Sequence, residues 1–251
     1  MIRALIAVGI LAAGMLSLPR SELNAAEVKV MLSAAFKEAY VELVPQFERA
    51  AGHKVVTVWA PTVEMMKRLK GSEVVDLVII AADSLEELIK LGKIVPGSRV
   101  DLAKSVIGVA IRAGAPKSDI RTTEAFKRTL LAAKSIAYST GPSGVYITEL
   151  FKRLGIADEL KPKVKQLQGV PIGEVVARGD AEIGFQQVSE ILPVAGIELL
   201  GPLPADIQRT TVFSIGLHAG AQKPDVARAL VRYFTSPAAA PVIRKKGMEP
   251  G

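Results

Sequence analysis

Three segments of this chain put small hydroxyl or glycine residues where a strand-like run gives way to a helix-like one. They are Leu32-Ser33-Ala34-Ala35-Phe36, Trp59-Ala60-Pro61-Thr62-Val63 and Ser139-Thr140-Gly141-Pro142-Ser143-Gly144-Val145-Tyr146. The first amides of a helix have no carbonyl partner, and the aligned peptide dipoles leave that end positive. Each corner can therefore hold an anion with neutral N–H and O–H donors. Gly141 and Gly144 bracket Ser143 and let the backbone approach a ligand with no Cβ in the way. Taken singly, each corner reads equally as a helix cap, because Ser, Thr and Gly cap helices everywhere. Binding requires the fold to bring the corners to one cleft. The third corner is similar to a phosphate loop but lacks the Gly-Lys-Ser/Thr ending, which excludes a nucleotide P-loop.

Other side chains have chemistry without a motif. Glu64 falls at about the second position of the helix after Thr62. There a carboxylate suits the positive helix end while facing solvent; turned into a cleft it becomes a candidate catalytic base. Arg209, in Gln208-Arg209-Thr210-Thr211, is either a solvated surface arginine or a bidentate partner for a carboxylate. His53 lies in a Gly52-His53-Lys54 turn, His218 follows a strand-like run, and Trp59 is expected to pack in the core. With no cysteine and only 2 histidines, thiol catalysis, disulfides, Cys-zinc sites and a His-rich metal centre are excluded. No metal and no cofactor are expected.

The elements that must position these corners alternate. Strand-like runs at Val28 to Leu32, Lys54 to Trp59, Asp76 to Ala81, Ser105 to Arg112, Ser135 to Tyr138 and Asp180 to Gln186 are separated by helix-like runs. The latter cover Ala34 to Ala51, Val63 to Lys70 with Thr62 as N-cap, Ser84 to Leu91, Thr123 to Ala133, Val145 to Leu154 and Gly173 to Arg178. Such alternation predicts an α/β fold of parallel sheets with helices on both faces. In open sheets of that kind, ligands lie beyond the carboxyl ends of the strands. There is no internal repeat and no Gly/Ser linker, so two lobes would be joined by strands, at Ser105 to Ala110 and within Gly201 to Ser214.

The 251 residues suit one large domain or two lobes of about 100 residues each. A hydrophobic share of 49% and a charged share of 23% exclude a disordered chain. The net charge of +7 favours anionic partners, yet the basic residues form no stripe, and aromatics at 5% are too few for base stacking; nucleic acid is excluded as a partner. Met1 to Ala26 orders a basic start (Arg3), an apolar run from Ala4 to Leu18 and small residues at Leu23-Asn24-Ala25-Ala26, the layout of a secretory signal peptide. Its apolar run of about 15 residues is shorter than the ~20 that a spanning helix needs. Cleavage would leave a periplasmic chain with 30 basic and 24 acidic side chains.

At these same corners the chain resembles the molybdate-binding proteins of bacterial ABC importers, within the wider class of periplasmic solute-binding proteins. The likeness runs over the whole mature chain: Ser33-Ala34-Ala35-Phe36, Gln46-Phe47-Glu48, Val75-Asp76-Leu77-Val78-Ile79, Gly141-Pro142-Ser143-Gly144-Val145-Tyr146, Arg178-Gly179-Asp180-Ala181-Glu182-Ile183-Gly184, Tyr233-Phe234-Thr235-Ser236-Pro237 and Lys246-Gly247-Met248-Glu249-Pro250. It implies a two-lobed type II periplasmic binding fold, with lobe one at residues 27–103 plus 204–251 and lobe two at 104–203. It further implies a monomer that closes on a small anion and is read by an ABC permease.

Carried over position by position, the family's first-turn serine falls on Ala35 and its second on Thr62. A backbone donor falls on Ser143, another near Gly169-Val170, and the closing tyrosine on Gln187, beside Gln186. Two hydroxyl donors are thus missing, each worth ~1–3 kcal/mol to a bound oxyanion. The residues that remain, Ser33, Thr62, Ser143 and Tyr146 with the amides of Gln186 and Gln187, suit an organic carboxylate better than molybdate. Exported aconitate isomerases look like members of the same wider family. The alternative implied is therefore a periplasmic isomerase that moves an allylic proton between trans- and cis-aconitate, with Glu64 or a histidine as base.

Overall fold

The computed structural model describes residues 25–251. The signal peptide expected at Met1 to Ala26 lies almost entirely outside them. In chain order come β1 (Glu27–Leu32), a 3-10 turn (Ala34–Phe36), α1 (Lys37–Ala51), β2 (Lys54–Trp59), α2 (Thr62–Lys70), β3 (Leu77–Ala81) and α3 (Ala82–Lys90). Next are β4 (Val100–Arg112), α4 (Thr123–Ala132), β5 (Ile136–Ser139), α5 (Pro142–Arg153), α6 (Ala157–Leu160), β6 (Val164–Leu167), α7 (Ile172–Ala177), β7 (Ile183–Gln187) and α8 (Val188–Ile191). The chain ends with β8 (Ile197–Pro202), β9 (Thr210–Leu217), α9 (Pro224–Phe234), α10 (Ala239–Lys245) and β10 (Glu249–Pro250). Among the described residues no helix is long and apolar enough to cross a membrane.

The strands follow the order β2-β1-β3-β9-β4-β7-β5-β6. β1 pairs in parallel with β2 and β3, and β5 in parallel with β6 and β7, as alternation predicts. The departure from all-parallel sheets is at β4 and β9, which run antiparallel to their neighbours. These two strands link the lobes. β4 pairs with β9 up to Val106↔Thr210, then passes into the other lobe and pairs with β7 from Ile107↔Gln187 onward. At the passage Gln208 takes the place of a ladder partner. Its Oε1 accepts from the Ile107 amide at 3.1 Å and its Nε2 donates to the Ile107 carbonyl at 3.0 Å.

Each lobe buries apolar side chains on both sheet faces, giving helix, sheet and helix layers. In the first lobe Leu32, Phe36, Tyr40, Leu43 and Phe234 pack on one face, and Met31, Met65, Leu69 and Leu85 on the other. In the second, Phe126, Ile136, Phe151 and Phe185 face Ala137, Ile172 and Val176 across the sheet. All five residues of β3 are buried, which accounts for its unbroken apolar run, whereas the edge strand β2 alternates. Helix α1 stops at Gly52, whose φ of 69° supplies the left-handed C-cap. The expected single helix from Ala34 is instead a 3-10 turn followed by α1. That keeps Ser33 extended, with its side chain uninvolved in capping.

Asp76 ties the first lobe together. Its buried carboxylate accepts from the amides of Lys29 (2.7 Å), Gln222 (2.7 Å) and Lys223 (2.8 Å), joining β1 to the start of α9.

Candidate functional site

The three corners foreseen in the sequence open on one cleft of about 790 Å³ between the lobes. Ser33, Ala35 and Thr62 line it from the first lobe; Ser143, Gly169, Gln186 and Gln187 line it from the second. The lobes come close at its mouth. A Cβ on Gly169, already at φ 70°, would sit 3.4 Å from Cγ of Pro61 in the opposite lobe. Glycine is needed there for the backbone angle.

The corners are not helix caps in disguise. Ser33 makes no side-chain cap bond, Thr62 is the first residue of α2 behind an N-cap Pro61, and Ser143 is the second residue of α5 behind an N-cap Gly141. The third corner depends on Gly144. A Cβ there would overlap the carbonyl oxygen of Ser139 and lie 2.6 Å from its carbon, so only glycine lets α5 start against the end of β5. Ser139 Oγ accepts from the Gly141 amide at 3.2 Å and fixes the bend.

Two buried hydroxyls on the lining, Ser33 Oγ and Ser189 Oγ, have no hydrogen-bond partner among the described residues. Ser33 belongs to the first lobe and Ser189, in α8, to the second, and α8 packs against the 3-10 turn that follows Ser33. A buried unpaired hydroxyl costs about 1–3 kcal/mol, so these two are unmet polar groups on one cleft.

Gln186 and Gln187 line the cleft but their amides are engaged. Gln186 Oε1 accepts from the Ile172 amide at 3.0 Å while its Nε2 donates to Glu190 Oε1 at 2.8 Å. Gln187 lies against the crossing strands. With Oε1 accepting from the Thr211 hydroxyl at 3.0 Å, its Nε2 faces the Ser105 and Val106 carbonyls at 3.3 Å. Its amide therefore braces the hinge and does not replace a ligand-binding hydroxyl.

Three expected site residues lie outside the cleft lining. The Tyr146 hydroxyl donates to the Ile207 carbonyl at 2.7 Å, in the crossing segment. Arg209 bonds Asp83 at 2.9 Å and stacks on the Tyr146 ring at 5.7 Å, on the flank of the hinge. Glu64 is two residues beyond Thr62, about 200° further round the helix, and so turns away from the corner. The histidines lie elsewhere: His53 Nδ1 accepts from the Ala26 amide at 3.3 Å, and His218 is buried behind β9 with Nδ1 accepting from the Gly220 amide at 3.0 Å.

Other lining residues were not foreseen. Trp59, expected in the core, is 43% exposed on the cleft wall, edge-on to Tyr40, with Lys37 Nζ 5.9 Å from its ring centre. Among the described residues Lys37 has no ion pair, whereas Arg178, also on the lining, is held by Asp180 at 3.0 Å. Glu190 is the most perturbed acid on the lining. Burial pushes its carboxyl up to about 7, against hydrogen bonds from the Gln186 side chain and the Gln187 amide that act to lower it. The one sequence signal for Glu190 was its spacing: three residues after the N-cap Gln187, where a glutamate reaches back to the N-cap amide as in a capping box. Among the described residues no three His, Asp or Glu side chains gather into a metal site.

A family model for bacterial extracellular solute-binding proteins matches residues 28–249. An aconitate isomerase of Pseudomonas sp. is 38% identical over 250 residues, covering 96% of this chain and 95% of that protein. A molybdate-binding protein of Azotobacter vinelandii is 30% identical over 236 residues, covering 89% and 90%. The solved structure of the Azotobacter vinelandii periplasmic molybdate-binding protein superposes with a TM-score of 0.74 at 21% identity, covering 88% of this chain and 98% of that one. The sulfate-binding protein SubI of Mycobacterium tuberculosis superposes at 0.71 and 16% identity, covering 90% and 87%.

Proposed function

Since the chain belongs to the bacterial extracellular solute-binding proteins, we propose that its cleft captures a small organic acid carrying more than one carboxylate, for delivery to an ABC permease. The carrying observation is the pair of buried, unpartnered hydroxyls, Ser33 and Ser189, reaching one cleft from opposite lobes. A polar ligand enclosed between the lobes would give both hydroxyls a partner, which would couple binding to the hinge about β4 and residues 203–210. Ser143, Thr62 and the first amides of α5 add neutral donors, and Lys37 adds a cation free to meet a second carboxylate. A tetrahedral oxyanion fits less well. Ala35 has no hydroxyl, the Gln187 amide is taken by the hinge, and the cleft is of a size that holds drug-like molecules (roughly 300–1,000 Å³). On this reading the leader at Met1 to Ala26 exports a monomer to the periplasm, where residues 104–203 close against the rest.

A thermal-shift panel tests it. Citrate, tricarballylate or trans-aconitate should raise the melting temperature, because a ligand at 100 times its Kd stabilises by about 2.7 kcal/mol. Stabilisation by molybdate or sulfate alone would overturn the carboxylate assignment.

A second reading has its own support. The 38% relative is named an aconitate isomerase, and a carboxyl held near neutrality, Glu190, borders the same cleft. On this reading the acid is converted between trans- and cis-aconitate as well as bound.

A further inference from the structure

We propose that Glu190 is the acid–base group that carries a proton from one carbon of the bound organic acid to another, with Gln186 as its positioning residue. The inference rests on the second reading above. Glu190 is part-buried and lines the cleft in α8, immediately after Ser189. Its carboxylate accepts from the Gln186 Nε2 donor at 2.8 Å. Gln186 is itself fixed, since its Oε1 accepts from the Ile172 amide at 3.0 Å. A cleft-lining carboxyl anchored by a side chain that is itself fixed is placed for proton transfer and not only for capping a four-residue helix.

The surrounding charges leave it free to act. On the cleft side the neighbours are Lys37 and Glu38 at the start of α1, and Glu174 and Arg178 at the two ends of α7. Arg178 is taken by Asp180, and Lys246, in the turn whose Gly247 approaches Val188 and Leu192 of the α8 segment, is paired with Glu42 at 2.9 Å. No charged side chain contributes to the shift of Glu190; burial sets it, opposed by the two hydrogen bonds. A base poised near neutrality can both take a proton and return it.

The substrate class is an unsaturated polycarboxylate with a methylene between a C=C bond and a carboxylate. The Glu190 carboxylate takes one methylene proton, and the C–H electron pair spreads through the double bond into the carboxylate as a dienolate. Glu190, now a carboxylic acid, gives the proton to the far carbon of the former double bond. The new C–H bond forms there and the double bond moves one position. No atom, electron or proton is gained or lost overall. Ser33, Ser143, Ser189 and Lys37 line the same cleft and supply the donors and the cation that such a developing charge needs.

The test uses the mature chain, its Glu190→Gln and Glu190→Asp variants, and trans-aconitate in D₂O followed by proton NMR, with melting shifts read in parallel. The wild type should form the cis isomer, with deuterium at the new methylene only to the extent that the Glu190 acid exchanges with solvent before it returns the proton. Glu190→Gln should lose 10²–10⁴-fold in turnover while its affinity for trans-aconitate stays within about twofold. Glu190→Asp should keep a residual rate, and the wild-type rate should rise through pH 7. Turnover by Glu190→Gln within tenfold of wild type overturns the assignment. So does a wild type that binds trans-aconitate yet shows neither isomer nor deuterium, although the binding reading then stands. If no carboxylate shifts the melting temperature, both fall together.

Discussion

Removing the unpartnered hydroxyls should strengthen the fold and weaken the binding. In Ser33→Ala and Ser189→Ala each substitution deletes a buried oxygen that makes no hydrogen bond in the protein. The cost of such an orphan is ~1–3 kcal/mol in a dry interior. Truncation also leaves a small void, so a net stabilisation of about 0.5–1 kcal/mol is expected for Ser33→Ala. Ser33 has extended backbone (φ −85°, ψ 165°), so helix propensity adds nothing there. Ser189 is the second residue of α8, and alanine's better propensity adds roughly 0.3–0.5 kcal/mol. For a chain of this length the gain appears as about 1–4 °C in Tm. Ligand affinity should move the other way, since a lost hydrogen bond of ~1–3 kcal/mol weakens Kd by roughly 5- to 150-fold. Trp59, the sole tryptophan, stands on the cleft wall and reports both unfolding and binding by fluorescence. If both hydroxyls reach one carboxylate, the double variant should lose less affinity than the two single losses added together. A variant destabilised by more than 1 kcal/mol with unchanged Kd for every carboxylate would refute the reasoning, because it would mean that the hydroxyls already have structural partners.

Three further outcomes follow from other parts of the fold. Gly144→Ala forces a methyl into the Ser139 carbonyl, so α5 must shift; a loss of about 3 kcal/mol or more and loss of ligand binding are expected, and a near-neutral urea melt would contradict the packing. Asp76→Ala strips the carboxylate from three amides and should cost about 3–5 kcal/mol, Asp76→Asn less, with Kd unchanged in both; a cost below 1 kcal/mol for alanine would deny the tie its role. Glu190 titrates higher in the folded chain than unfolded, so its contribution is full below the ordinary glutamate range and is lost as pH rises through about 7. Between pH 4.5 and 8 that loss amounts to at most about 3 kcal/mol, and to less because Glu190 is only part-buried. Glu190→Gln should flatten this part of the stability profile, and identical pH profiles for variant and wild type would show that the carboxyl is not held near neutral.

The order of strand and helix from β1 to β7, but for the short α6 and β6, the corners at Ser33, Thr62 and Ser143, and the glycine-lined start of α5 could be read from the chain itself. They depend on local periodicity and on residues whose backbone or hydroxyl chemistry acts within a few positions. β2 even spans the residues that alternation assigns to it, Lys54–Trp59. Local pattern could not tell which side chains face the cleft, because that depends on the phase of each helix and on the packing of one lobe over the other. Tyr146 and Arg209 have the right chemistry but meet each other at the hinge, and Trp59 leaves the core for the cleft wall. Gln186 and Gln187 sit on the cleft with their amides already bonded inside the protein. Ser189 and Glu190 carry no motif that singles them out, and only the tertiary fold desolvates them. Burial is a property of everything packed around a group, and it is burial that leaves two hydroxyls without partners and lifts one carboxyl toward neutrality.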